Sequence, residues 1–113
     1  MTGPAEFDPA ALSEDAILGG RVRLLQPRAG YRAATDPVLL AAAAQARPGA
    51  RVLDAGCGAG AALFCLAARV PGIEAHGLEL QPAYAALARR NAALNGAGAE
   101  IWEGDLFAPP AAL

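Results

Sequence analysis

Residues Arg51 to Ala62, RVLDAGCGAGAA, hold the pattern that most limits what this chain can fold into. Val52 and Leu53 are the start of a short apolar strand, which breaks at Asp54 into glycines at alternate positions, Gly56, Gly58 and Gly60. Glycine reaches positive φ without a Cβ clash, so the strand ends in a turn whose backbone can approach a ligand closely. The apolar stretch from Ala61 to Val70 then reads as a helix, and the free N–H groups of its first turn point back at whatever the loop holds. Strand, glycine loop and helix make a nucleotide-type site, with a tight turn that binds nothing as the bland alternative.

The flanking sequence repeats this alternation. Ile73 to Leu80 reads as a second strand, Pro82 to about Leu94 as a helix stopped by Asn95-Gly96, and Ala99 to Glu103 as a third strand. Such a βαβαβ order implies a parallel three-stranded sheet with right-handed crossovers, half of an α/β Rossmann-like fold. Upstream, Gly19-Gly20 between Ile17-Leu18 and Arg21 to Leu25 predicts a β-hairpin ended by Pro27. Thr35 or Asp36 caps a helix with Pro37 in its first turn, running to about Ala46. The expected organisation is a flexible N-terminus over 1–14, the hairpin and helix over 15–47, and the sheet unit over 48–113.

Composition narrows the class. With 113 residues, 55% hydrophobic and 18% charged, the chain is one folded domain's worth. No apolar run approaches the roughly 18 residues that span a bilayer, and the acidic N-terminus does not read as a secretory signal, so no membrane partner and a cytoplasmic location are expected. Cys57 and Cys65 have neither a C-x-x-C spacing nor a histidine beside them, which excludes a sequence-legible metal site. His76 lies inside the second strand and reads as a satisfied core or edge residue. The net charge is −2, yet Arg21, Arg23, Arg28 and Arg32 crowd into one segment, either a solvated hairpin face or a phosphate-contacting RNA patch.

Ligands of doubly wound sheets lie across the carboxyl ends of the strands, and acids stand at all three of those ends. Asp54 closes the first strand, Glu79 the second, and Asp105 follows the third. Glu79 suits a pair of ribose hydroxyls, Asp105 an adenine amino group, and Asp54 the loop itself. Gly56-x-Gly58-x-x-Ala61 also fits the loose dinucleotide fingerprint, which keeps an NAD-binding domain open.

The D-x-G-x-G-x-G form of the loop resembles motif I of the class I S-adenosylmethionine-dependent methyltransferases. Residues Asp15 to Leu24, Gln26-Pro27-Arg28, Gly30-Tyr31-Arg32 and Asp36 to Leu40 resemble the N-terminal part of bacterial valine-tRNA adenine methyltransferases, a "methyltransferase small" group. The resemblance implies S-adenosylmethionine as cofactor and contacts to it from Asp54, Gly56, Cys57, Gly58, Gly60, Glu79, Leu80, Asp105 and Leu106. It further implies that Tyr31, Arg32, Thr35 and Asp36 close over the methionine moiety, and that the substrate is an adenine amine in tRNA. Members of that group carry an Asn-Pro-Pro-Tyr catalytic loop after a fourth strand, whereas Ala108-Pro109-Pro110-Ala111 lacks both the asparagine and the aromatic residue. The sequence therefore reads as the cofactor half of an enzyme, truncated before the catalytic loop, with no catalytic residue of its own and inactive alone. A non-catalytic S-adenosylmethionine or nucleoside-binding module remains the alternative. Without a fourth strand the strand at Arg51 becomes an edge, so self-association is expected.

Overall fold

The computed structural model describes residues 5–29 and 35–113. A 3-10 turn at Pro9–Ala11 leads into a hairpin of β1 (Leu12–Ile17) and β2 (Val22–Pro27), joined through Leu18, Gly19 and Gly20 at φ 53°, 63° and 84°. β1 begins inside the segment expected to be flexible over 1–14, because its polar stretch is internally satisfied. Ser13 Oγ and Gln26 Nε2 both donate to Asp15 Oδ2, at 2.8 and 2.9 Å, while Leu12 is buried opposite Pro27.

The chain continues through α1 (Thr35–Ala43), β3 (Arg51–Ala55), α2 (Ala61–Arg69), β4 (Glu74–Glu79), α3 (Pro82–Leu94) and β5 (Glu100–Glu103). α1 stops before the expected Ala46 because Arg69 takes its last carbonyls: Nε donates to Ala41 O at 3.1 Å and Nη2 to Ala44 O at 2.5 Å. The three-stranded sheet has the order β3-β4-β5 and is parallel throughout, as the βαβαβ alternation requires. The architecture is a partial Rossmann-like α/β fold with an N-terminal antiparallel hairpin.

Alternation along the strands separates two faces. Val52, Ala75 and Ile101 turn toward α2 and α3 and share a core with Leu63, Phe64, Leu66, Ala85 and Ala88. Val22 and Leu24 of β2, both fully buried, pack against α2 and α3, so the hairpin belongs to this core rather than to a separate unit. The opposite face carries Leu53, His76, Leu78 and Trp102. There β3 is an edge strand and its Leu53 is 46% exposed. His76 is satisfied, as expected for a core or edge histidine. The Trp102 indole N–H, which can only donate, reaches His76 Nδ1 at 3.1 Å, which leaves the proton on Nε2 to be donated to Glu74 Oε2 at 2.8 Å.

Gly77, in the middle of β4, admits the loop onto the sheet. A Cβ at this position would stand 2.8 Å from Cys57 Sγ and 3.0 Å from Ile101 Cδ1, closer than packed atoms come. Gly77→Ala should therefore destabilise the fold by about 1–3 kcal/mol, the usual cost of overpacking, measured by urea or thermal unfolding. Adding Cys57→Ala should restore part of that loss, because it removes the nearest obstructing atom.

Candidate functional site

The glycine loop between β3 and α2 is held by its backbone. Gly56 N–H and Cys57 N–H both donate to Leu78 O of β4, at 2.7 and 3.0 Å, so the loop is stitched to the end of the neighbouring strand. Gly60 then caps α2 at φ 99°, and a Cβ there would overlap the buried Phe64 ring, so only glycine fits. At Gly56 (φ 74°) and Gly58 (φ 56°) an added Cβ would meet no protein atom within 4 Å. Those two glycines are required by their positive φ, and the space beside them is open.

That room is a cavity of about 520 Å³, within the range of small-molecule sites. Its floor is the loop and the start of α2, and one wall is Asp54 and Glu79 from the strand ends. Gln26 and Pro27 of β2, Asp36, Pro37 and Leu40 of α1, and Gln81 and Tyr84 at the start of α3 complete it. Phe7 meets Tyr84 edge-on with ring centroids 5.0 Å apart, which braces that wall from outside.

Glu79 is the best-anchored carboxylate of the site. Only 8% exposed, it accepts from Gly58 N–H at 2.8 Å through Oε1 and from Gln81 N–H at 2.9 Å through Oε2. A carboxylate has about four lone-pair sites, so these two bonds fix its orientation and leave capacity for ligand hydroxyls. Burial, and secondarily the charge of Glu79, raise the Asp54 carboxyl above its ordinary range. Burial beside both acids pushes the Cys57 thiol up to about 12, which keeps it a neutral packing group and not a nucleophile.

Three carboxylates, Asp36, Asp54 and Glu79, line the cavity, and no arginine does so among the described residues. Such a site suits a ligand with hydroxyls and positive charge. It disfavours a pyrophosphate, which argues against the dinucleotide reading of the glycines. The donor set therefore fits S-adenosylmethionine, which carries ribose hydroxyls, an ammonium group and a sulfonium.

Of the residues expected in the site, Asp36, Asp54, Gly56, Cys57, Gly58 and Glu79 come together on the cavity, with Gly60 just behind it. Leu80, Asp105 and Leu106 do not line it. Leu80 and Leu106 are 64% and 53% exposed, and Asp105 Oδ1 accepts from Phe107 N–H at 2.9 Å in a local turn. Tyr31 and Arg32 lie outside the described residues, and Thr35 opens α1. Of the arginine cluster, Arg21 donates to Ala68 O at 2.7 Å and Arg23 pairs with Glu14. Neither they nor Arg28 line the cavity. Gln26, Pro27, Gln81 and Tyr84 escaped the sequence reading, since nothing local marks a strand or helix residue as part of a distant wall.

The methyltransferase domain family matches residues 52–112, more than half of the chain, and the chain belongs to that family. Its glycine loop and parallel sheet are those of a class I methyltransferase domain, the class whose methyl donor is S-adenosylmethionine. The release factor glutamine methyltransferase of Geobacter sulfurreducens is 39% identical over 75 residues, 66% of this chain and 26% of that protein. The enzyme of the same name from Deinococcus radiodurans is 36% identical over 108 residues, 96% of this chain and 36% of that protein. The chain thus spans between about a quarter and just over a third of the length of these curated relatives. Neither is named for tRNA, so the resemblance to adenine methyltransferases of tRNA gains no support from them. A solved structure described as "Conversion of a Disulfide Bond into a Thioacetal Group during Echinomycin Biosynthesis" is similar over 51% of this chain and 24% of that one. Its sequence identity is 38% and its TM-score 0.46.

The strained charge of Asp54 has a measurable consequence. A carboxyl whose pKa is raised by folding contributes stability that is complete below its ordinary 3.8 and lost as pH rises through the folded value. Asp54→Asn should therefore raise the melting temperature of the ligand-free chain at pH 7. The difference should shrink toward zero in scans at progressively lower pH.

Proposed function

We propose that this chain is the donor-binding part of an enzyme that methylates the side-chain amide nitrogen of glutamine in a release-factor-type protein. The observation that carries the substrate is that both curated relatives bear that name, one of them aligned over 96% of the chain with the hairpin included. The acceptor-side chemistry of a glutamine amide and an adenine amine is similar, since each is a planar nitrogen with a delocalised lone pair. What weighs against RNA is the engagement of Arg21 and Arg23 away from the cavity, together with a net charge of −2.

S-adenosylmethionine, when bound, supplies an electrophilic methyl carbon on a sulfonium. Glu79 accepts ribose hydroxyls with the lone pairs left over from its two backbone bonds. Asp54 and Asp36 place negative charge beside the cationic end of the donor. The glycine loop excludes side chains from the donor's path, and Tyr84 with Gln81 bounds the site at the start of α3. These groups bind and orient. Positioning of the acceptor falls to residues outside the cavity, so the 113 residues alone are expected to bind donor and transfer nothing.

Calorimetry with S-adenosylmethionine and NAD in separate titrations tests the cofactor, with binding expected for the first only. Glu79→Ala should weaken that binding tenfold or more, since a charged hydrogen bond contributes roughly 1.5–3 kcal/mol. For the acceptor, a protein of the relatives' length that carries this chain is supplied with tritiated donor, a release factor and tRNA. Label on a glutamine of the protein supports the proposal, and label on tRNA adenine replaces it with the RNA reading. The open β3 edge further leads us to propose that the isolated chain self-associates, and a stable monomer by light scattering at micromolar concentration would contradict this.

A further inference from the structure

Asn91 is a fully buried polar side chain in the last turn of α3, and both its side-chain oxygen and nitrogen are hydrogen-bonded. Oδ1 accepts from Leu25 N–H at 2.8 Å. Nδ2 donates to Leu25 O at 2.9 Å and to Ala59 O at 3.0 Å. Leu25 belongs to β2, and Ala59 lies in the glycine loop, between Gly58 and Gly60 and on the cavity. One amide thus ties together an edge of the hairpin, the helix that follows the second strand, and the loop that receives the donor.

Asn95, one turn further along, repeats half of the arrangement. Its Oδ1 accepts from Arg23 N–H at 2.8 Å and its Nδ2 donates to Arg23 O at 2.7 Å. Arg23 and Leu25 present their backbone groups on the side of β2 away from β1, where a further strand would otherwise pair. The two asparagines, spaced i and i+4 on one helix face, satisfy that edge in place of a strand. Asn95 Nδ2 also donates to Asn91 O at 2.8 Å, and none of its side-chain hydrogen bonds reaches the loop. Its replacement therefore perturbs the hairpin edge and the end of α3 while leaving the Asn91 side chain and its bond to Ala59 in place.

We propose that Asn91 is the positioning residue of the glycine loop, holding Ala59 so that the donor cavity has its binding shape only while the hairpin is docked. β2 supplies Gln26 and Pro27 to the cavity wall immediately after Leu25, so the same amide sets the distance between that wall and the loop floor. A loop rich in glycine has a large conformational entropy to lose, and a buried amide that fixes its central carbonyl removes part of that cost from ligand binding. The effect on the donor rests on the reading of the cavity as an S-adenosylmethionine site, whereas the tether itself does not.

The experiment compares Asn91→Ala and Asn91→Ser with Asn95→Ala in the 113-residue chain, by melting temperature, donor affinity and hydrogen exchange without ligand. Serine leaves a smaller cavity and one hydroxyl, which keeps a folded variant available should the alanine form not fold. The Asn91 variants should lose tenfold or more in affinity for S-adenosylmethionine and exchange the amides of residues 56–60 faster. Asn95→Ala should lower the melting temperature yet leave affinity within about twofold and loop exchange unchanged. If affinity falls in both in proportion to stability, or loop exchange is the same in both, Asn91 is only a hairpin clamp and the proposal is overturned. Should the unsubstituted chain not bind the donor, the cofactor reading fails, and faster loop exchange in the Asn91 variants alone still supports the tether.

Discussion

The fold depends on how the backbone of residues 56–60 is held. A glycine-rich segment has few side chains with which to hold itself, so beyond one internal bond from Gly60 N–H to Cys57 O its shape depends on groups that other elements lend to it. Leu78 O of β4 takes two N–H groups, the Glu79 carboxylate takes a third, and the Asn91 amide takes the Ala59 carbonyl. Each tether comes from an element that follows the loop in sequence, so the loop has no defined shape until β4 and α3 have docked. Gly77 belongs to the same constraint, because only a residue without a side chain lets Cys57 rest on the sheet at this point.

Holding the loop this way costs stability elsewhere. Burial, and secondarily the nearby charge of Glu79, disfavours the ionised form of Asp54. Glu79 offsets part of that cost by accepting from Gly58 N–H and Gln81 N–H, and a cationic, hydroxyl-bearing donor of the kind the family uses would offset more of it. The cavity is thus a compromise between a stable empty fold and a tight complex, of the kind expected where binding residues are buried.

The hairpin shows how a small unit becomes part of a larger core. Two strands alone are marginal in water. Here Val22 and Leu24 are fully buried against α2 and α3, and asparagine amides replace the missing strand along the outer edge of β2. The outer edge of β2, in the hairpin sheet, is thus closed by side chains of the helix that lies alongside it. In the other sheet β3 pairs with no further strand among the described residues, and its Leu53 is half in solvent.

By itself the sequence determined the order of elements, the parallel sheet, the glycine loop and the two acids, Asp54 and Glu79, that face the cavity. These follow from local rules: periodicity, turn residues, and the geometry that puts strand ends beside the ligand. It also determined the span of α3, whose Pro82 and Asn95-Gly96 mark both ends. The reach of β1 was hidden, because Ser13, Glu14 and Asp15 look like loop residues until Gln26 is seen to satisfy Asp15. Asn95 was legible only as part of a helix stop and Asn91 carried no signal, and only the packing of α3 against β2 turns them into partners for a strand edge. The walls contributed by Gln26, Pro27, Gln81 and Tyr84 were decided by tertiary structure alone. A cavity is formed where separate elements meet, and the distance between two elements is set by the volume of the side chains packed between them, which no local pattern encodes.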